Sequence, residues 1–210
     1  MDILQAIKHR ISANSFDSDK KLSETEIKEL IGYAIEAPSS FNIQHWRFIA
    51  VTDAAAKEKL KALAYNQPKV TAAAVTFIVL GDLKGHEKLP DIVGRAVKAG
   101  VIEQGVADYF VNGAAGFYKN YTDTQTVRDE AIRSATFAGM TLMLAAEAKG
   151  LVSGPMIGFD FEGVKKAFNI SDRYVPAMLI AVGYPAPGNW PRKPRLAVDE
   201  VLAFNEGREF

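Results

Sequence analysis

The 210-residue sequence has no cysteine, only three histidines and no excess of either charge, with 25 basic residues against 25 acidic ones. The missing cysteine excludes a thiolate nucleophile, a CxxC redox pair and every Cys-ligated zinc or iron–sulfur centre. Zero net charge argues against a nucleic-acid partner, which needs a basic footprint. No run approaches the roughly 20 apolar residues of a membrane span, and the opening MDILQAIKHR lacks the basic-then-apolar layout of a signal peptide. A cytoplasmic protein is expected. His9, His45 and His86 are far apart along the chain and no pair has the i,i+4 spacing of a helical zinc site. They read as three isolated histidines, at the surface or hydrogen-bonded, and no metal is expected. Near Ser153 a nucleophile elbow fails because Leu151 stands where glycine is required. There is no phosphate loop of the GxxxxGK[ST] type and no GxGxxG. Acidic residues are scattered without an evident acid/base pair. A chain this poor in side-chain chemistry, if it is an enzyme, takes its reactivity from a cofactor.

What is present is a mixture of helical and strand patterns without regular βαβ alternation, which predicts an α+β fold. With 48% apolar residues and this length, one domain over residues 1–210 is expected. Helices are predicted at 3–9, from a capping box at Ser23-Glu24-Thr25-Glu26 to near Pro38, at 54–64, 102–120, 124–148 and 161–168. Strands are predicted at Arg47–Val51, at Ala74–Leu80 and at Pro176–Gly183. The 124–148 helix is apolar almost all round between Ala135 and Ala146, so it is either a central core helix or is covered by a partner chain. Gly139 and several alanines would allow a close approach.

Four separated places could hold an anionic, planar group. They are Arg10-Ile11-Ser12-Ala13-Asn14 past a helix end, the loop Pro38–Trp46, the stretch Asn66-Gln67-Pro68-Lys69, and the basic cluster Arg192-Lys193-Pro194-Arg195. Each also has an ordinary reading: a helix-terminal arginine, turns whose side chains bond their own backbone, and a solvated basic face.

Taken together, these pieces resemble the FMN-dependent nitroreductase family. Arg10-x-Ser12 followed by Phe16-Asp17 is similar to its opening signature, and APSSFNIQHWRFI is similar to its Pro-Ser-Ser-x-Asn-x-Gln-Pro-Trp stretch. Asn66-Gln67-x-Lys69 resembles its Asn-x-x-Lys, Pro155–Asp160 its flavin-facing turn, and Lys193-x-Arg195 its basic pair near the C-terminus. The likeness runs in order from about residue 3 to residue 196.

The resemblance implies a central mixed or antiparallel sheet flanked by helices, a buried dimer-interface helix at 124–148, and a C-terminal arm from about 185 to 210 that embraces the partner. It implies FMN as cofactor, with NAD(P)H as co-substrate. Arg10 and Arg195 would be the phosphate forks, with Lys193 and Ser12 beside them and Asn14 nearby. Asn66 and Lys69 would face the ring and ribityl chain, and Pro155, Ile157 and Gly158 would lie against the flavin. Pro38, Ser39, Ser40 and Asn42 would reach it from the other subunit. Aromatics of the 109–121 segment, especially Phe117 and Tyr118, are either a lid over the substrate or ordinary core packing. The implied activity is ping-pong reduction of nitroaromatics, quinones or similar electron-poor molecules. A specialised branch of the fold, such as a reductive dehalogenase or a flavin-consuming enzyme, and a flavin-binding regulatory dimer without turnover are the alternatives. Departures from the family pattern are Asn14 in place of Arg or Lys, Ile157 in place of Glu, His45 in place of Pro, and His9-Arg10-Ile11 in place of an Arg-Arg or Arg-His run. They bear on substrate preference and redox potential.

Overall fold

The computed structural model describes residues 2–120 and 124–209; Tyr121, the last residue of the proposed lid segment, lies outside them. In chain order the elements are α1 (Ile3–His9), α2 (Glu24–Ala34), β1 (Trp46–Val51), α3 (Ala54–Leu63), α4 (Lys69–Ala72), β2 (Val75–Asp82), α5 (Leu89–Lys98), α6 (Gln104–Asn120), α7 (Thr124–Ala148), β3 (Val152–Met156), α8 (Phe161–Ala167), β4 (Tyr174–Gly183) and α9 (Val198–Val201). The capping box forms as the sequence predicts: Glu26 N donates to the Ser23 hydroxyl while the Glu26 carboxylate accepts from Ser23 N.

The four strands form one antiparallel sheet in the order β1-β2-β4-β3, so the sheet is antiparallel rather than mixed. Every residue of β2 is buried. On one face Val75, Phe77 and Val79 meet Leu30 of α2 and Leu142 of α7. On the other, Ile78 and Leu80 join Leu60 of α3 and Val164 of α8. Helices on both faces explain why this strand reads as a continuous apolar run instead of an alternating one.

Strand β3 and helices α4, α5 and α9 lie where the sequence reading placed no regular element. Gly154-Pro155-Met156 belongs to strand β3 and not to the following turn. Proline is tolerated there because β3 is an edge strand, where a missing N–H breaks no central ladder. Helix α5, unforeseen in the sequence, opens with Pro90 in its first turn.

The all-round apolar pattern of α7 has two causes. Ala131, Ala135, Ala138 and Ala146 are fully buried on the sheet side. The approach is close: a Cβ on Gly81 would stand 2.6 Å from the Ala131 carbonyl oxygen. Elsewhere on the helix Phe137 is 47% exposed, and Met140 and Leu144 are half-buried.

Between β2 and α7 the chain leaves the sheet. A 3-10 turn at Gly85–Lys88, α5 and α6 enclose a small cluster of Leu89, Val93, Ala107 and Ala114, into which Phe41 and Ile43 of the preceding loop insert. This module is anchored at Asp82, whose carboxylate is fully buried. It accepts from Arg173 Nε at 2.7 Å and Nη2 at 3.1 Å, from Arg47 Nη2 at 3.0 Å and from Lys84 N at 3.0 Å.

Candidate functional site

Residues 12 and 13 lie along the outer edge of β3, and Phe16 and Asp17 pair with the chain just after β4. Ser12 bridges to Ser153 in parallel, Ala13 N donates to Ser153 O at 2.9 Å, and Phe16 bridges to Pro185. Gly154 makes this contact possible, since a Cβ there would lie 2.4 Å from Ala13 O. The segment after β4 reaches back to the N-terminal helix. Arg192 Nη1 donates to Ile7 O at 2.8 Å and Arg10 O at 3.0 Å, capping the carbonyl end of α1.

Arg10, Lys69, Arg192, Lys193 and Arg195 thereby line one cleft of about 250 Å³, together with Ser12 and Asn14, and among the described residues no carboxylate lines it. Burial holds the Arg10 guanidinium below its usual pKa; Arg192 and Arg195 push the same way and Glu147 opposes them. Burial also lowers Lys69, whose Nζ donates to Asn14 Oδ1 at 3.3 Å. Clustered cations, of which Arg10 and Lys69 are partly desolvated, gain most from a multivalent anion, and arginine forks suit a phosphate. Among the described residues no group of His, Asp and Glu could hold a metal ion, and no helix is long and apolar enough to cross a membrane.

The α3–α4 turn borders the cleft through Lys69, whose Cδ would lie 3.5 Å from a Cβ on Gly154. Tyr65 and Asn66 both take left-handed backbone angles there, at φ 52° and 57°. Gln67 Nε2 donates to Gly158 O at 2.9 Å and to Ala64 O at 3.1 Å, so this turn is tied to the one following β3. Ile157 and Gly158 are exposed at that turn, and Pro155 is half-buried in the strand before it. Asn66, Lys69, Pro155, Ile157 and Gly158 therefore share one neighbourhood beside the cleft. Gln67 joins them, although the sequence singled it out only as part of the motif.

Pro38–Asn42 is elsewhere. The loop leads into Trp46, which pairs with Gly81, whereas the cleft lies beside the Val75 end of β2. Six strand residues separate these levels, roughly 20 Å. The loop is specially built: Phe41, Asn42 and Gln44 have φ of 51°, 56° and 58°. Three non-glycine residues in this disfavoured region need a structure that over-determines them. Asn42 N donates to Ser39 O, Ile43 N to Ser40 O and Gln44 N to Ser39 Oγ, at 2.9–3.0 Å.

Phe117 and Tyr118 belong to the module around α6 and not to the cleft lining. The Phe117 ring lies 6.1 Å from Phe41. Tyr118 stacks on His86 at 4.1 Å and shares a 2.9 Å hydrogen bond with His45 Nε2. The reading of three isolated histidines is thus corrected: His45 and His86 meet on one tyrosine, brought together by the turn that carries His86. Burial drives the His45 pKa down to about 4 against the pull of Glu130 and Asp82, so the ring is neutral near pH 7.

With this geometry in place, the model of the nitroreductase family matches residues 7–184. The chain belongs to the nitroreductase family. MhqN of Bacillus subtilis (strain 168), assigned by name to the NAD(P)H nitroreductases, is 35% identical over 199 residues, covering 94% of this chain and 96% of that protein. A nitroreductase-type protein from Exiguobacterium sibiricum 255-15, solved in complex with FMN, superposes with a TM-score of 0.91 at 31% identity, with 97% of each chain covered. A protein from Staphylococcus epidermidis ATCC 12228 described as an NAD(P)H:FMN oxidoreductase gives 0.90 at 31%, covering 97% of this nitroreductase-family chain and 95% of that one.

Proposed function

We propose that this chain is an FMN-dependent NAD(P)H oxidoreductase, working as a cytoplasmic homodimer of single-domain subunits that reduces nitroaromatics, quinones or similar electron-poor small molecules. The observation that carries the reading is the cleft in which, among the described residues, five cations converge without a lining carboxylate. It fits a phosphate dianion at the end of a longer ligand, and Lys69 and the two tied turns extend from it as a wall for the rest. When bound, FMN would supply the redox chemistry for a ping-pong exchange of a hydride equivalent between NAD(P)H and the second substrate.

Arg10 and Arg195 grip the phosphate as forks, with Lys193 and the Ser12 hydroxyl beside them and Asn14 between them and Lys69. Asn66 and Lys69 face the ribityl chain and ring. Lys69 is preplaced where negative charge develops on reduction, so it requires no reorganisation at that moment. Gly158, without a β-carbon, admits the ring at close range, flanked by Pro155 and Ile157.

Ser39, Ser40, Asn42 and Pro38 act on the other subunit's site, a reading supported by their place at the far end of their own sheet. Dimerisation is supported by apolar surface that a lone chain would leave in water: Ile3 and Leu4 on α1 at 59% and 66% exposure, Phe137 on α7, and Phe204 in the arm at 80%. On this reading α7 is the interface helix, the arm from about residue 185 to 210 wraps the partner, and Phe117 and Tyr118 stand over the substrate.

Purified protein should be yellow, and anaerobic NADH or NADPH should bleach it; a colourless protein that refuses added FMN would sink the reading. Bound flavin that stays oxidised with both nucleotides would point instead to a regulatory dimer. Arg195→Ala should weaken FMN retention by about 1.5–3 kcal/mol, the scale of a hydrogen bond to a charged group. A variant as fully loaded as wild type after dialysis would remove Arg195 from the phosphate site.

A further inference from the structure

The cations of the cleft come from distant parts of the chain, and one uncharged side chain joins them. Asn189 Oδ1 accepts from Asn14 N at 2.8 Å and Ser15 N at 2.9 Å, while its Nδ2 donates to Ser15 O at 2.8 Å and Ala186 O at 3.2 Å. Both ends of the carboxamide are therefore used twice. Asn14 and Ser15 lie just beyond the point where the N-terminal segment pairs with β3 through Ala13 N. Asn189 satisfies the next two N–H groups, which would otherwise lose their acceptor. Gly188, at φ 94°, makes the turn that delivers Asn189 to this place, and a Cβ on it would lie 3.4 Å from Ser15 Oγ. Beyond Asn189 the chain runs directly into Trp190, Arg192, Lys193 and Arg195.

We propose that Asn189 is the positioning residue of the phosphate grip: it fixes the spacing between Arg10 and the Arg192–Arg195 cluster, and so makes the site select a phosphorylated flavin over an unphosphorylated one. This rests on the FMN reading above. The charges of the cleft repel one another, so their separation has to be set by something other than their own attraction. Asn189 sets it without adding or removing charge. Arg192 also ties the tail to α1, but its removal would change the cleft's charge as well as its shape, so only Asn189 separates the two effects.

The experiment measures FMN and riboflavin affinities for wild type, Asn189→Ala and Asn189→Gln, the last keeping the same polar groups on a side chain one methylene longer. Hydrogen exchange over residues 10–17 and 186–195 is followed in flavin-free protein. FMN affinity should fall about tenfold or more, equivalent to roughly 1.4 kcal/mol, while riboflavin affinity stays within about twofold and exchange quickens in both segments. Glutamine should fold like wild type and show the same selective loss. Equal loss of FMN and riboflavin, or no loss of either, would overturn the assignment. Unchanged exchange in Asn189→Ala would refute the clamp by itself. Failure of wild-type protein to take up FMN would instead defeat the functional reading, and the exchange measurement would still decide whether Asn189 ties the two segments.

Discussion

Replacing Gly154 by alanine is expected to yield a protein that has lost its cofactor. The new methyl carbon would stand 2.4 Å from Ala13 O, a backbone atom that cannot rotate away. Either β3 or the 12–17 segment must move, and overpacking of this kind costs about 1–3 kcal/mol. The segment is the cheaper of the two to displace, because β3 is paired with β4 along its length whereas the segment is held to it through Ser12 and Ala13. Displacing it moves Arg10, Ser12 and Asn14 away from Arg195, so FMN affinity should fall by about 100-fold or more, roughly 2.8 kcal/mol. Flavin absorbance per subunit and a thermal melt test this together. A variant as yellow and as stable as wild type would show that the close approach of Ala13 to β3 is not what shapes the cleft.

Arg173→Met is expected to be the most destabilising of the changes considered, by about 3 kcal/mol, because it leaves the buried Asp82 carboxylate with one arginine where it had two. Burial raises the Asp82 pKa, but hydrogen bonds from Arg173 and Lys84 N, with the charges of Arg47 and Arg173, outweigh it and hold the pKa below the usual carboxylate range. A carboxylate lowered in this way stabilises the fold above its unfolded pKa of about 3.9, and that contribution is lost as pH falls through the folded value. Removing Arg173 raises Asp82, so the variant's deficit should be full at neutral pH and shrink towards acid. Denaturant melts at pH 7 and near pH 3.5 measure it. A deficit independent of pH would mean that Arg173 acts through its uncharged contact with Lys84 O instead of through the carboxylates of Asp82 and Glu87.

The parts of this fold legible in the sequence are those whose signals are local. The Ser23 box starts α2 because its partner is three residues away, and the β2 run announces a strand covered on both faces. Pro155 misled because glycine and proline usually mark turns, while edge position, which permits proline in a strand, depends on strand order and cannot be read locally. Among the site residues, Arg10, Ser12, Asn14, Lys69, Lys193 and Arg195 do share one cleft. Charged groups recognised by a motif advertise themselves. Gln67 and Asn189 were missed because their partners are backbone atoms 91 and about 174 residues away, and no spacing rule reaches that far. The His45–Tyr118–His86 stack was hidden for the same reason.

The distance along the chain between Asn14 and Asn189, 175 residues, has a bearing on truncated chains. All four strands among the described residues precede Asn189, so a chain clipped just after β4 keeps what it needs to build its sheet and lacks the second half of the proposed phosphate grip. Closing so long a loop is entropically costly and comes after local structure. On the proposed site, flavin uptake therefore reports on an intact tail: a chain clipped before Asn189 is expected to fold its sheet and to bind FMN far more weakly than the full chain.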